Sequence, residues 1–212
     1  FAQNYPDFEV VVVNDCSFDD TQDVLRAFQE KYDNLKVVNL SENNTFSGGK
    51  KFAITMGIKA ASNEIVVFTD ADCKPSSGNW LREMAMQFSE NTEIVLGYGG
   101  YEANNNFVNA LIRFDTVSIA IQYLSFALIG IPYMGVGRNM AYKKSLFFKN
   151  KGFAKHQHIK SGDDDLFVNE VGCKGNTSVT LSGNAATISK PKMTFVEWFH
   201  QKRRHLTTGT KY

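Results

Sequence analysis

Short apolar runs and amphipathic stretches alternate along the first part of the chain. Residues 9–14 (EVVVVN), 36–40 and 64–69 (EIVVFT) are short and rich in Val, Ile and Leu, which predicts β-strands. Between them, residues 20–32 and 50–61 place their apolar side chains at helical spacing. The predicted order of elements is therefore β-α-β-α-β.

The apolar residues of these strands do not alternate with polar ones. A strand with this pattern is covered on both faces, as in a parallel sheet flanked by helices. We therefore expect an α/β domain built on an open, mostly parallel sheet with helices on both faces. Ligands of such sheets bind beyond the carboxyl ends of the strands. Asp15 follows the first predicted strand and Asp70 the third, so both are expected to face one crevice.

The second half of the chain is less regular. Residues 107–131 form a long apolar stretch that is interrupted by Asn109, Arg113, Asp115 and Gln122. A membrane span needs about 20 apolar residues with few charges, so this stretch is predicted to be a buried or interfacial helix. Its apolar side chains are either ordinary core or a platform for an acceptor or a membrane surface. A short strand at 138–142 and a last helix from Thr194 follow.

Composition and charge restrict the classes of partner. The chain has 212 residues, of which 43% are hydrophobic and 21% charged, as is usual for one globular domain. A net charge of +1 provides no basic field for neutralising phosphates, so nucleic acid is not an expected partner. Cys16, Cys73 and Cys173 are odd in number and lack CxxC spacing, which favours reduced thiols in a cytoplasmic setting.

The central candidate site is the triplet Asp70-Ala71-Asp72 at the end of the third predicted strand. Two carboxylates around a small residue can share one Mg²⁺ or Mn²⁺, whose coordination is completed by substrate phosphates. Such a triplet is also common as a solvated turn or a helix cap. Its position between a buried strand and a turn favours the metal site, where the cation would neutralise a departing diphosphate.

Two earlier segments are candidates for binding the same ligand. One of Asp15, Asp19 and Asp20 is expected to cap the helix that follows the first strand, and since only one can cap it well, another is left for a ligand. The GGKK sequence at 48–51 opens the second helix. Free N–H groups and a lysine at that place favour a phosphate, although a solvated basic turn has the same sequence character.

Two charged clusters lie near the end of the chain. Asp163, Asp164 and Asp165 are adjacent, and adjacent like charges raise at least one pKa, as a general base near neutral pH requires. The alternative is a favourable interaction of these carboxylates with a helix N-terminus. The QKRRH sequence at 201–205 is either a solvated basic tail or a helix face that closes over a diphosphate.

Taken in order, these motifs resemble those of the inverting glycosyltransferase family 2, which has the GT-A (nucleotide-diphospho-sugar transferase) fold. NDCS at 14–17 is similar to the family's D-D-G-S turn, which implies that Asp15 contacts the base of the donor. GK at 49–50 is similar to the start of the family's G-K-x-x-A-x-N-x-G helix, which implies a donor-site lysine at Lys50. The triplet matches the D-x-D motif, which implies that Asp72 binds the metal, with Asp70 near both the metal and the ribose.

Three later motifs extend the resemblance. GRNMAY at 137–142 is similar to the family's G-x-N-x-A-[FY] strand. DDDL at 163–166 stands where the acceptor-side E-D motif belongs, so that either Asp163 or Asp164 is the catalytic base, and we prefer Asp164. QKRRH resembles Q-x-x-R-W, with histidine in the place of tryptophan, which implies that Gln201 and Arg204 bind the donor.

The resemblance implies an inverting hexosyltransferase of cell-surface polysaccharide or glycoconjugate synthesis. The donor would be a nucleotide-diphosphate sugar, with a UDP-sugar expected, the cofactor Mg²⁺ or Mn²⁺, and the acceptor a hydroxyl of a glycan or lipid-linked molecule. Residues 1–100 would be the nucleotide-sugar-binding half, without the family's first strand, and 101–212 the acceptor-side half. The implied location is the cytoplasmic face of the cell membrane, with membrane association through segments outside these residues. A metal-dependent nucleotidyl- or phosphotransferase and a non-catalytic sugar-nucleotide binder are the alternatives.

Overall fold

The computed structural model describes residues 1–41, 49–159 and 161–205, except for the side chains of residues 204 and 205. Its first elements are β1 (Val10–Asp15), α1 (Thr21–Lys31), β2 (Leu35–Leu40), α2 (Lys50–Ala60) and β3 (Ile65–Phe68). The five predicted elements are thus confirmed, each to within one residue at either end. Strand β1 pairs in parallel with β2 along its whole length.

Shorter elements make up the rest of the chain. In chain order they are β4 (Cys73–Pro75), α3 (Trp80–Ala85), β5 (Ile94–Leu96), β6 (Gly99–Tyr101), α4 (Phe107–Leu128), β7 (Met140–Lys143), α5 (Lys144–Lys149), α6 (Asp165–Val171), β8 (Thr177–Val179), β9 (Thr187–Ser189) and α7 (Phe195–His205). Helix α7 begins where a last helix was predicted, because Thr194 and Glu197 form a reciprocal capping box at its start.

The pairing in the central sheet differs from the mostly parallel sheet that the sequence predicts. The strand order is β3-β7-β5-β8, and β7 runs antiparallel to both β3 and β5, whereas β5 and β8 are parallel. The prediction rested on apolar runs without alternation, and such runs are required of any strand that is covered on both faces. An apolar run therefore predicts that both faces of the strand are covered, but it does not predict whether the neighbouring strand is parallel or antiparallel.

A third sheet joins early and late parts of the chain. Strand β9 lies between β4, which is antiparallel to it, and β6, which is parallel. In the central sheet, β7 and β8 likewise pair with β3 and β5 from the first half. The two halves predicted at 1–100 and 101–212 therefore share their sheets among the described residues.

Helix α4 is half core and half surface. Ile112, Tyr123 and Leu124 are buried, and the Tyr123 hydroxyl donates to the carbonyl of Gly97. The opposite side is apolar and exposed, at Phe107 (82%), Phe114 (73%), Ile121 (62%) and Leu128 (60%). The helix is long and apolar enough to cross a membrane by length and composition, but a third of its most apolar window is buried inside the protein. The helix therefore contributes to the core, and the role of its exposed apolar side as a platform stays a prediction.

Candidate active site

Lys50 lies at the centre of a small pocket at the carboxyl end of β3. Its Nζ is 2.9 Å from Asp163 Oδ2 and 3.5 Å from Asp70 Oδ1. The pocket is also lined by Asp164, Gly137 and Tyr142. The first turn of α2, the end of β3 and the loop before α6 thus bring four predicted site residues together: Lys50, Asp70, Asp163 and Asp164.

Asp164 is held by two backbone amides. Its Oδ2 accepts from the N–H of Gly137 at 2.6 Å, and its Oδ1 accepts from the N–H of Asp165 at 2.9 Å, at the start of α6. A Cβ at Gly137 would stand 3.2 Å from Asp164 Oδ2, so that a side chain there would crowd the carboxylate. The sequence motif around Gly137 is therefore explained by close approach of the backbone to Asp164.

The pKa of Asp164 is raised to about 6. Burial is the main cause, and the negative charges of Asp163 and Asp165 add to it, while the Lys50 ammonium and the Gly137 N–H act in the opposite direction. The sequence-based expectation that one carboxylate of this cluster has a raised pKa is met at Asp164. A carboxylate with this pKa can accept a proton near neutral pH.

The charge of Lys50 is stabilised by the same carboxylates. Burial alone would lower its pKa, but the charges of Asp163, Asp70 and Asp164 outweigh that effect and raise it. Lys50 therefore stays a cation throughout the pH range in which Asp164 titrates. Its ammonium is placed between the D-x-D triplet and the acidic cluster, where it faces both.

The D-x-D triplet lies at the edge of this pocket. One ligand atom from each of Asp70, Asp72 and Cys73 lies within 4.8 Å of the others. The two carboxylates are partly or fully exposed and fit a hard divalent cation such as Mg²⁺ or Mn²⁺. The Cys73 thiol, which sequence reasoning did not consider, fits less well, because burial raises its pKa and its Sγ is 2.8 Å from Ser189 Oγ.

The turn after β1 leaves Asp15 exposed at the strand end. The N-cap residue of α1 is Asp20, which makes no side-chain cap hydrogen bond, whereas the Oδ1 of Asp19 accepts from the N–H of Thr21 at 3.1 Å. Cys16 has a φ of 56°, in the left-handed region that favours glycine, which explains why the similar family motif has glycine there. Asp15 is therefore available for a ligand, as predicted, but it is not among the residues that line the Lys50 pocket.

Helix α7 contacts Tyr101 at the end of β6. Gln201 Nε2 is 3.5 Å from the Tyr101 hydroxyl, and Lys202 forms an ion pair with Asp115 on α4. The guanidinium carbon of Arg138 lies over the ring of the same tyrosine, 4.5 Å from the ring centre. The side chain of Arg204 lies outside the described residues, so its predicted role stays a prediction.

The chain is similar to known proteins over most of its length. The sequence profile of the family described as "Glycosyl transferase family 2" matches residues 1–149. The chain belongs to this family. The match covers the motifs up to β7 and α5, whereas the acidic cluster and α7 follow after it.

Solved structures extend the likeness beyond the family profile. Residues 1–349 of Staphylococcus aureus TarS, in complex with UDP, match with a TM-score of 0.61 and 26% identity, over 90% of this chain and 54% of that one. This likeness confirms the GT-A fold that the motifs predict for a family 2 member.

The curated relatives are longer than this chain. A poly(ribitol-phosphate) beta-glucosyltransferase of Bacillus spizizenii is 27% identical over 166 residues, which are 76% of this chain and 24% of that protein. The probable glycosyltransferase YdaM of Bacillus subtilis is 28% identical over 68% of this chain and 35% of its own length. TarS of Staphylococcus aureus, a poly(ribitol-phosphate) beta-N-acetylglucosaminyltransferase, is 42% identical over 33% of this chain and 12% of that one. The chain thus spans about a quarter to a third of the first two relatives.

Two positions of the G-x-N-x-A-[FY] motif, Gly137 and Asn139, make hydrogen bonds to distant parts of the chain. Asn139 is fully buried, donates to the carbonyls of Tyr98 and Ala185, and accepts from the Trp80 indole. These bonds fix the loop that presents Gly137 to the pocket. The sequence indicated a strand here and gave no sign of the network, since its partners lie far away in the chain.

Lys51, next to Lys50, has a different task that sequence reasoning missed. It is 6% exposed, and its Nζ donates to the carbonyls of His156 at 2.6 Å and Ile159 at 3.1 Å. Burial lowers the pKa of Lys51, and this effect outweighs the charges of the nearby aspartates, which raise it. Lys51 thus ties helix α2 to the segment that leads into the acidic cluster.

Replacing Lys51 with methionine is expected to lower the free energy of unfolding by about 2 kcal/mol, because two carbonyls lose their donor while the stem length is kept. Urea denaturation measures this change. Lys59→Met is the matched control, since Lys59 lies on the same helix with an exposed side chain, and its effect on stability should be clearly smaller. Equal losses in the two variants would contradict the structural role of Lys51.

Proposed function

We propose that this domain transfers a hexose from a UDP-sugar to an acceptor hydroxyl, with inversion at the anomeric carbon. The observation that carries the proposal is the pairing of a raised-pKa carboxylate, Asp164, with the Lys50–Asp70 ion pair in one pocket of a family 2 fold. A proton acceptor and a charged diphosphate site are the two parts that a single displacement requires.

Asp164 is the proposed catalytic base. The acceptor oxygen forms a bond to the anomeric carbon, the bond from that carbon to the diphosphate oxygen breaks, and the acceptor proton passes to Asp164. The amides of Gly137 and Asp165 fix the orientation of the carboxylate before the acceptor arrives. Asp163 is paired with Lys50 at 2.9 Å, which makes it the weaker candidate for this role.

The donor's diphosphate is proposed to lie between Lys50 and the D-x-D triplet. Asp72 and Asp70 would hold Mg²⁺ or Mn²⁺, and the ion would supply positive charge to the leaving UDP. Lys50 would add its own charge on the side of the acidic cluster, and Gln201 and Arg204 of α7 would close the site from above. Asp15 is proposed to contact the base of the nucleotide.

The relatives support the nature of the substrates. The matched TarS structure contains UDP, and two relatives are named for transfer to poly(ribitol-phosphate). We propose a UDP-sugar donor and a polyol-phosphate or glycan acceptor in cell-surface polysaccharide synthesis. The corresponding location is the cytoplasmic face of the membrane, where the exposed apolar side of α4 would face the acceptor or the lipid surface.

A UDP-release assay tests the proposal. The chain, with Mn²⁺, UDP-glucose or UDP-N-acetylglucosamine and poly(ribitol-phosphate), should release UDP and attach the sugar in the β-configuration that inversion of an α-linked donor gives. Transfer of a phosphoryl or nucleotidyl group instead would support a phosphotransferase. Binding of UDP without turnover by any acceptor would support a sugar-nucleotide binder.

The same assay has an expected pH dependence. A base with a pKa of about 6 is ionised above that pH, so kcat/KM should be constant at higher pH and fall as the pH drops through about 6. In Lys50→Met the loss of the nearby cation should move this fall to higher pH, because Lys50 lowers the pKa of Asp164. If kcat/KM of Lys50→Met fell at the same pH as that of the unaltered chain, the assignment of Asp164 as the base would be contradicted.

A further inference from the structure

Arg138 is a cation whose side chain is held by an aromatic ring. Its guanidinium carbon is 4.5 Å from the centre of the Tyr101 ring, and its Nε is buried without a hydrogen-bond partner. Among the residues that the structure describes, no carboxylate forms an ion pair with Arg138. A guanidinium presents five N–H donors and keeps its charge at all relevant pH values, so Arg138 is a permanent cation without a counter-charge among the described residues.

The surrounding backbone makes room for this arginine. A Cβ at Gly99 would lie 2.6 Å from Arg138 Nε and 2.7 Å from its Cγ, which no real contact tolerates. Gly99 is buried in β6, two residues before Tyr101, so one short strand supplies both the gap and the ring. Gly99 and Tyr101 of β6 therefore determine where the Arg138 side chain lies.

The arginine lies between the two parts of the proposed site. Its neighbour Gly137 donates to Asp164, on the acceptor side. Tyr101 is opposite Ser189 on β9, and Ser189 is opposite Cys73 on β4. Strands are about 4.8 Å apart, so Tyr101 lies roughly 10 Å from the strand that Asp72 precedes.

We propose that Arg138 binds a phosphate group of the substrate, with Tyr101 holding the guanidinium in place. The proposal rests on the proposed function and names a residue of that site for which the motif resemblance implied no role. Arginine suits a phosphate because its planar N–H groups can bond two oxygens at once. Within this reaction the phosphate comes either from the diphosphate of the donor or from a phosphodiester of the acceptor.

Binding measurements on the full chain with Mn²⁺ distinguish the two sources. The probes are UDP, uridine as the phosphate-free comparison, and poly(ribitol-phosphate). Arg138→Gln removes the charge, and Arg138→Lys retains it without the planar donors. Arg26→Gln removes one exposed arginine of α1 as the matched control, and thermal unfolding shows whether each variant is folded.

In Arg138→Gln we expect the Kd of one phosphate probe to rise about tenfold or more, with a smaller rise in Arg138→Lys. The Kd of uridine, and the Kd of either phosphate probe in Arg26→Gln, should stay unchanged. A change for UDP assigns the donor phosphate, and a change for poly(ribitol-phosphate) assigns the acceptor. Unchanged binding of both probes by folded Arg138→Gln overturns the proposal and leaves the proposed function standing. If the unaltered chain does not bind UDP, the proposed function fails and the poly(ribitol-phosphate) titration alone decides on Arg138. Binding of neither probe overturns both.

Discussion

Asp164→Asn is expected to lower kcat by roughly 10²- to 10⁴-fold while the affinity for UDP stays close to that of the unaltered chain. Asparagine keeps the size of the side chain and one oxygen, which can accept from the N–H of Gly137 or of Asp165 but not from both. A small loss of stability is therefore expected, which thermal unfolding measures. Asparagine cannot accept the acceptor's proton, and the displacement loses its base. Initial rates of UDP release and calorimetric titration with UDP measure the two quantities.

Two neighbouring variants make this result specific to Asp164. Asp165→Asn removes a charge one residue away, from a side chain that accepts from the Leu166 N–H and does not line the pocket, so its kcat should fall much less. Asp163→Asn tests the other candidate base. A larger loss of kcat in Asp163→Asn than in Asp164→Asn would transfer the role of the base to Asp163.

Asp72→Ala should remove the metal dependence of UDP binding and raise the Kd for UDP in the presence of Mn²⁺. Partners of metal ligands are already worth about 10- to 100-fold in metal affinity, so the loss of a ligand itself should cost about a hundredfold or more. Asp72 is exposed and makes few contacts, which leaves the fold undisturbed in this variant. Calorimetric titration with UDP, with Mn²⁺ and with EDTA, measures the effect.

Cys73→Ser is the control for this prediction. The serine hydroxyl retains a contact with Ser189, and the oxygen ligands of the adjacent triplet are kept. Metal-dependent binding should therefore survive. If Cys73→Ser abolished the Mn²⁺ dependence and Asp72→Ala preserved it, the thiol and not the D-x-D carboxylates would be the metal ligand.

The sequence predicts the first five elements well, because their apolar runs and helical spacings are local patterns. It does not predict the order of the central sheet, since β7 enters between β3 and β5 only after the chain has passed through α4. The antiparallel direction of β7 depends on that path, and the residues within the strand do not determine it. The GT-A fold itself could be predicted from the order of the motifs along the chain.

The charged residues of the candidate site were predictable because each follows a strand or opens a helix. Lys50, Asp70, Asp163 and Asp164 are brought together as the motif order implied. The pairing of Arg138 with Tyr101 was not predictable, because it depends on a missing side chain at Gly99 and on the register between β6 and β9. The reason for a glycine at position 99 is visible only when the position of the Arg138 side chain is known.

The sharing of sheets between the two halves has a consequence for synthesis of the chain on the ribosome. Strands β4 and β6 are complete early, but the strand that lies between them, β9, spans Thr187–Ser189. Until that segment leaves the exit tunnel, both strands have open edges that can pair with other chains. The third sheet, which sets the place of Tyr101 relative to Cys73, therefore forms only after residues 187–189 have been synthesised.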